Sequence, residues 1–346
     1  MSDSGLLSEI RQQPAMLGTI VAANEPKVAA IAEKLDLGSF SHIVIAARGT
    51  SDNAARYAKY LWGAFNQMSV GLAAPSLYTT YHRPPSLKDA LVVGISQSGE
   101  SPDLVAVLAE ARKQNRPTLA ITNQPGSPLA QTADLVLDLL AGEEHAVAAT
   151  KTYTAQLLAT AMLSLAWQGE SMEALHPLPG LVEEVLAGND TTAQIAERFG
   201  GLEACAVLGR GFNHSTAFEW ALKLKEVTYV LAQPYSTADF RHGPIAVVDR
   251  GFPVLAIAPD GAVFDDTLVM LNDLDREKQA ELLVISNRAE AARVASHHIG
   301  IPEATPEWLS PIVAIVAGQL FTYHLGKVRG LDTEAPRGLS KVTRTI

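Results

Sequence analysis

The segment Ser96-Gln97-Ser98-Gly99-Glu100-Ser101 follows the apolar run Ala90 to Ile95 and precedes Pro102. Its hydroxyls and amide can donate to the oxygens of an anion without a bound metal, which suits a phosphate. Gly99 lets the backbone bend tightly. Ser101 and Pro102 read as the N-cap and first residue of a helix over Pro102 to Gln114. The free amides of a helix start then join the serines at the carboxyl edge of a sheet, where open α/β folds bind ligands. The plainer reading is a capped, solvent-exposed turn, in which serine serves capping alone. A second turn, Arg48-Gly49-Thr50-Ser51, adds two hydroxyls at the same edge and favours binding. Neither G-x-x-x-x-G-K-[ST] nor G-x-G-x-x-G follows a strand, which argues against a nucleotide site.

A second group of reactive side chains lies in Phe218 to Val230, a segment helical by composition. Glu219 and Lys223 are four apart and Lys223 and Glu226 three apart, so all three share one helical face. Spacing alone supports a solvated salt-bridge face and a buried functional face about equally. The surrounding Trp220, Ala221, Leu222, Leu224, Val227 and Tyr229 point to burial. His242, between Arg241 and Gly243-Pro244 after the loop Ser236 to Phe240, is a candidate proton carrier or simply an exposed histidine. His297 and His298 adjoin with no carboxylate or cysteine at ligand spacing, so no metal site is expected. Cys205 sits in an apolar run and reads as a buried, inert thiol.

These residues need a scaffold that presents them. His42 to Ala47, Ala90 to Ile95, Thr118 to Thr122 and Leu135 to Leu139 read as buried strands. Asp52 to Asn66 and Pro102 to Gln114 read as helices, the latter with Leu104, Val105, Leu108 and Ala111 apolar. The β-α rhythm predicts an α/β fold with a mainly parallel sheet flanked by helices. The pattern then recurs. Val44 to Gly49 (VIAARG) resembles Val207 to Gly211 (VLGRG), Leu91 to Ile95 corresponds to Val254 to Ala258, and Thr118 to Asn123 (TLAITN) resembles Leu282 to Asn287 (LLVISN). The offsets are 162 from Arg48 to Arg210, 162 from Ile95 to Ile257 and 164 from Asn123 to Asn287. This is a duplicated domain with a junction near Gly169 to Asp190. The expected organisation is an N-terminal helical segment over 1–38, domains over 39–180 and 190–330, and an irregular tail over 331–346. The second copy has Pro259-Asp260-Gly261-Ala262 where the first has Ser96-Gln97-Ser98-Gly99. One half should therefore hold the anion while the other supplies different groups.

The 346 residues carry a formal net charge of −10, which argues against general nucleic-acid binding. The chain is 47% hydrophobic and 18% charged, enough for a sizeable core, and its single cysteine rules out an internal disulfide. The segment Met1 to Gln13 lacks the pattern of a signal peptide, and no apolar run is read as a membrane span. The expectation is a cytoplasmic protein with no membrane partner. In the tail, Leu339, Val342 and Ile346 are interleaved with charges, so docking is expected, and a docked lysine could meet a sugar carbonyl.

Six motifs taken in order, RGTS (48–51), SQSGES (96–101), AVAATK (146–151), EWALKLKE (219–226), RHGP (241–244) and PRGLSK (336–341), resemble the sugar isomerase (SIS) superfamily. Within it the chain is similar to the isomerase half of glutamine–fructose-6-phosphate aminotransferases and to the SIS-type glucosamine-6-phosphate deaminases. The likeness covers roughly residues 40 to 346. It implies two SIS domains, each a flavodoxin-like three-layer sandwich. It implies phosphate contacts from Ser51, Ser96, Gln97, Ser98 and Ser101, with Thr50 nearby. Glu226 would move a proton between C1 and C2 beside the charged Lys223, and His242 would open the sugar ring, often from a neighbouring subunit. Glu144 and Val147 would line the sugar chain, Glu219 would support the site, and Lys341 would contact the open-chain sugar or form a Schiff base with it. No cofactor and no metal are implied, and a homodimer is. Two departures stand out. The synthase's glutaminase domain carries a cysteine nucleophile at the start of the mature chain. Position 2 here is Ser2, so the reaction expected is interconversion of glucosamine 6-phosphate with fructose 6-phosphate and ammonia, without a glutaminase. Arg48 replaces the usual cysteine and could alter substrate preference. A fructosamine-6-phosphate deglycase, another ketose–aldose isomerase and a non-enzymatic sugar-phosphate sensor are the alternatives.

Overall fold

The structure, a computed structural model, describes residues 5–341. Ser2, Val342 and Ile346 lie outside the described residues. The chain divides into two compact units. One comprises Ala15–Glu144, Lys151–Pro177 and the chain from Ser340. The other comprises the start up to Pro14, His145–Thr150 and Leu178–Leu339.

The first unit is built on β1 (His42–Ala46), β2 (Ser69–Leu72), β3 (Ala90–Ser96), β4 (Thr118–Thr122) and β5 (Leu135–Asp138). All pair in parallel, in the order β2-β1-β3-β4-β5. Strands covered on both faces read as continuous apolar runs, and every residue of β3 is buried. Register is unbroken up to the edge of interest, with Ile45 opposite Val93 and Ala46 opposite Gly94. The helix Pro102–Lys113 has proline in its first turn, an acidic Asp103 there and basic Arg112 and Lys113 in its last, all matched to the helix dipole. Its Leu104, Leu108 and Ala111 pack against Ala90, Val92 and Ala120 as their spacing predicts, with Val105 partly buried beside them.

The second unit repeats this design with β6 (Ala204–Leu208), β7 (Leu231–Tyr235), β8 (Pro253–Ile257), β9 (Glu281–Ser286) and β10 (His297–Gly300). The order β10-β9-β8-β6-β7 is again wholly parallel and has the same local topology. Both units thus share one fold, as the repeat predicts, and it is flavodoxin-like, as the resemblance implies. In this topology the strand order reverses between the first and third strands, and the crevice there is the ligand position. The reversal falls between β1 and β3 in one unit and between β6 and β8 in the other.

Several local expectations need correction. The helix predicted from Asp52 begins at Gly49, so Thr50 and Ser51 lie in its first turn. The loop Ser236 to Phe240 is the short helix Thr237–Arg241, with the Ser236 hydroxyl capping Ala238 N–H. Strands β2, β7 and β10 are short and partly exposed, and their weak apolar patterns did not announce them. One helix, Glu307–Val328, is long and apolar enough to cross a membrane, contrary to the sequence reading, but 94% of its apolar stretch is buried inside the protein. Glu281, across the β9–β10 pair, places a carboxylate 3.4 Å from His297, a neighbour that sequence spacing hides. Among the described residues no group of three His, Cys, Asp or Glu is placed to hold a metal.

Candidate functional site

In the first unit the polar turns stand where β1 and β3 diverge. Gly99 adopts φ +65°, and a Cβ there would lie 2.0 Å from Ser127 Oγ, so only glycine fits. The turn closes on itself: Gly99 N–H donates to Ser96 Oγ at 3.0 Å and Glu100 N–H to Ser98 Oγ at 3.3 Å. On the neighbouring turn, Gln156 Nε2 donates to Ser51 Oγ at 2.9 Å. In each contact the serine oxygen accepts, so the hydroxyl proton is left to donate elsewhere. Ser101 occupies the N-cap position of the next helix, as its sequence reading has it, without making a side-chain capping bond. Ser96 and Ser51 are buried, and Gln97, Ser98, Ser101 and Thr50 are half-buried. The Gln97 carbonyl accepts from Asn123 N–H at 3.2 Å, which ties the turn to the end of β4.

Arg48 follows β1, and its Nε lies 2.8 Å from a carboxylate oxygen of Asp103. Asp103 is fully buried, whereas the Arg48 side chain is 49% exposed. The pair therefore links the turn that carries Thr50 and Ser51 to the helix that begins after Ser101.

The same unit brings Glu144 and Lys341 together. Glu144 is buried and accepts from Thr152 N–H at 3.1 Å and Thr152 Oγ1 at 2.7 Å. Lys341 Nζ donates to Glu144 Oε2 at 2.7 Å. The tail is thus docked at this lysine.

The second unit holds Val147, Glu219, Lys223, Glu226 and His242. The segment read as one helix is an α-helix, His214–Lys223, that opens into a π-helical turn over Leu224–Thr228. Tyr229 then ends the turn at φ +59°. Such π turns insert a residue and re-aim side chains, often at functional sites. Lys223 Nζ sits between two carboxylates, 3.4 Å from Glu219 Oε1 and in close hydrogen-bonding contact with Glu226 Oε2. Glu219 is 0% exposed and Lys223 3%, but Glu226 is 23% exposed. Burying charge is costly unless it is paired, so Lys223 is fixed by Glu219 while Glu226 keeps an open edge. The apolar neighbours point to burial, and the face is buried at Glu219 and Lys223 and partly exposed at Glu226. His242 is exposed at the end of Thr237–Arg241, and Val147 is half-buried.

Other polar groups carry weight that sequence reasoning missed. Asp103, Thr152 and Gln156 are all buried and orient Arg48, Glu144 and Ser51. An aspartate in a helix's first turn looks like an ordinary dipole partner, so nothing in its spacing marked it. Glu9 is buried in the second unit and accepts from the backbone N–H groups of His145 and Ala146. Burial pushes the Cys205 thiol up to about 12, in keeping with an inert core residue.

Two parallel sheets of one topology, with a hydroxyl-lined turn at the crevice of one and a Glu–Lys–Glu cluster in the other, define a duplicated α/β protein. Segments 37–166 and 204–326 match the SIS domain, so the chain belongs to the SIS domain family. The glutamine–fructose-6-phosphate aminotransferase (isomerizing) of Thermococcus kodakarensis is 35% identical over 97% of this chain and 57% of its own length. The chain therefore spans less than two thirds of that relative. The C-terminal domain of glucosamine–fructose-6-phosphate aminotransferase from Francisella tularensis superposes with a TM-score of 0.87 at 30% identity, covering 96% of this chain and 98% of that one. Glucosamine-6-phosphate deaminase from Thermotoga maritima shares the fold, with a TM-score of 0.80 at 22% identity over 99% of this chain and 100% of that one.

Proposed function

We propose that the chain is a phosphosugar isomerase that acts as a deaminase on glucosamine 6-phosphate. The observation that carries this reading is the cluster around Lys223. A buried cation held by Glu219 leaves a second carboxylate, Glu226, partly exposed and beside positive charge. A sugar-phosphate sensor needs the serine turn but has no use for such a carboxylate, so the cluster favours catalysis. The similarity to a glutamine–fructose-6-phosphate aminotransferase and to the C-terminal domain of another supports the substrate class.

In this reading Ser51, Ser96, Ser98 and Ser101 donate to the phosphate, with Thr50 and Gln97 beside them. Glu226 takes the proton from C2 of the ring-opened sugar and returns it to C1, and one carboxylate serves both carbons because they lie on one face of a planar intermediate. Lys223 stabilises the negative charge that develops. The resulting C2 imine is hydrolysed by a solvent water, which gives fructose 6-phosphate and ammonia. His242 assists ring opening, Val147 lines the sugar chain, and Lys341, held by Glu144, meets the open chain. The chain works as a homodimer in the cytoplasm. Incubation with glucosamine 6-phosphate should release ammonia and fructose 6-phosphate in equal amounts, and in deuterated water the C1–C2 positions should acquire label. Saturable binding without turnover, unchanged in Glu226→Gln, would establish the sensor instead. Turnover of a fructosamine 6-phosphate but not of glucosamine 6-phosphate would move the chain to the deglycases.

A further inference from the structure

We propose that Arg48 and Asp103 are a positioning pair that sets the gap between the two phosphate-binding turns; the proposal rests on the serine turns holding phosphate. The donors come from two separate segments. Thr50 and Ser51 follow β1, and Ser96 to Ser101 follow β3. The ladder between these strands reaches Ala46 opposite Gly94, and past that point the two backbones part. The first side-chain link after the parting is Arg48 Nε to Asp103 Oδ2, at 2.8 Å.

The pair is placed to move the donors and not merely to decorate them. The Arg48 carbonyl accepts from Ser51 N–H at 3.1 Å and Asp52 N–H at 3.3 Å, so Arg48 opens the helix that carries Thr50 and Ser51. Asp103 lies two residues after Ser101, and its other oxygen accepts from Leu104 N–H at 3.0 Å. Asp103 is fully buried, so Arg48 is the cation that compensates it, and the guanidinium cannot swing away without stranding a buried charge.

The molecule contains its own control. Arg210 follows β6 as Arg48 follows β1, with matching extended backbone (φ −129°, ψ 159° against φ −141°, ψ 152°). It pairs with Asp266 in the first turn of the helix after β8. The partners are 56 residues apart there and 55 apart in the first unit. The same link thus recurs in a unit whose turn carries no serines. It joins the same two elements in both units, but Asp266 is 52% exposed where Asp103 is fully buried, and only the link in the first unit lies beside serine turns.

The test measures inorganic phosphate affinity and steady-state kinetics for Arg48→Met, Arg48→Lys, Asp103→Asn, Arg210→Met and Ser98→Ala. Misplacing a bound group by a fraction of an ångström weakens its contacts steeply, so Arg48→Met and Asp103→Asn should raise the phosphate Kd and the sugar-phosphate KM about tenfold. Turnover at saturation should stay within about twofold. Arg48→Lys should recover part of the affinity through its retained charge. Arg210→Met should shift thermal stability yet leave Kd and KM unchanged. The proposal is overturned if Arg48→Met binds phosphate as the parent does, or if Arg210→Met weakens binding equally. Should Arg48→Met fail to fold, Arg48→Lys compared with Arg210→Lys carries the same distinction. Ser98→Ala separates the two levels: if it leaves phosphate affinity intact, the reading of the serine turn falls first; if it weakens affinity while Arg48→Met does not, only the positioning pair falls.

Discussion

The crevices of the two units share a plan and differ in what fills them. Gly49 and Gly211, at φ +54° and +60°, start the turn after the first strand in each, and each unit has its arginine–aspartate link. In the first unit the turn after β3 presents serines whose oxygens accept from the protein itself. In the second, the turn after β8 is taken up by the protein's own carboxylates. Glu307 Oε2 accepts from Ala262 N–H at 2.9 Å, and a Cβ on Gly261 would lie 2.2 Å from the Glu307 carboxyl carbon. Asp260 is held by Arg288 at 2.5 Å. An anion arriving there would meet carboxylates where the first unit offers hydroxyl protons. The backbone of this topology supplies the same turn twice, and the side chains around it differ between the copies.

That division of labour can be broken at either end, and the largest effect should come from the chemistry. Glu226→Gln should lower ammonia release and C2 deuterium exchange by about 10²–10⁴-fold. Phosphate affinity, assigned to the other unit, should hardly change. Loss of binding along with turnover would mean that the units do not divide the work this way.

Lys223→Met should, besides slowing turnover, damage the second unit's stability. It removes the ammonium 3.4 Å from Glu219, a carboxylate with 0% exposure. Removing one partner of a buried pair costs about 3–5 kcal/mol. Chemical denaturation followed by hydrogen exchange should show the loss in the helix His214–Lys223 and in β6 and β7. An unchanged midpoint would contradict the picture of a fixed internal cation.

A matched pair of glycine substitutions sharpens the contrast. Gly99→Ala puts a Cβ 2.0 Å from Ser127 Oγ at φ +65°, and Gly261→Ala puts one against Glu307 at φ +149°. Each should cost about 1–3 kcal/mol from backbone strain and overlap. Only Gly99→Ala should also raise the phosphate Kd, measurable by titration calorimetry. Equal weakening by both would show that the second crevice takes part in binding.

How far the residues themselves announced this arrangement depends on the kind of signal. The duplicated sheets were legible because parallel strands buried on both faces leave continuous apolar runs at matching offsets, as in Val44 to Gly49 and Val207 to Gly211. The edge strands β2, β7 and β10 were not, because a half-exposed strand of four or five residues such as Leu231–Tyr235 carries too few apolar positions. The serine turn was legible as polar chemistry after a strand and Ser101 as the N-cap, but spacing does not reveal that its hydroxyl makes no capping bond. The Glu219–Lys223–Glu226 face was visible from helical periodicity, yet the π turn that begins at Leu224 was not, since it reflects packing around the segment and not local propensity. Asp103, Gln156 and Glu307 were illegible for one reason. Their partners lie 55, 105 and 45 residues away, a distance at which pairing is a property of the fold.

The smallest effect expected is a difference in acid sensitivity between the units. In the second unit, burial lowers the pKa of His324 below its ordinary value of 6.5, and the ring is held 2.8 Å from Asn189 Oδ1. Asp190 opposes this shift and Arg11 adds to it. The folded state therefore binds fewer protons here than the unfolded chain, and stability rises with pH through this window. It is present in full above 6.5 and is lost as pH falls from there toward the depressed folded value. In the first unit, burial raises the carboxyl of Asp52 above its usual 3.8, against the pull of Arg56 and Arg48. That group works with the opposite sign, since its folded form retains a proton that the unfolded chain has released. Hydrogen exchange compared at pH 7 and at about pH 5.5 should thus show protection falling in β6 and β9 through His324, with no matching loss in β1 and β3 from Asp52. His324→Gln keeps a donor toward Asn189 without a titrating ring and should flatten the response of the second unit. If the two units lost protection in parallel, or if the substitution left the pH dependence as it was, the acid response would have to be assigned to other groups.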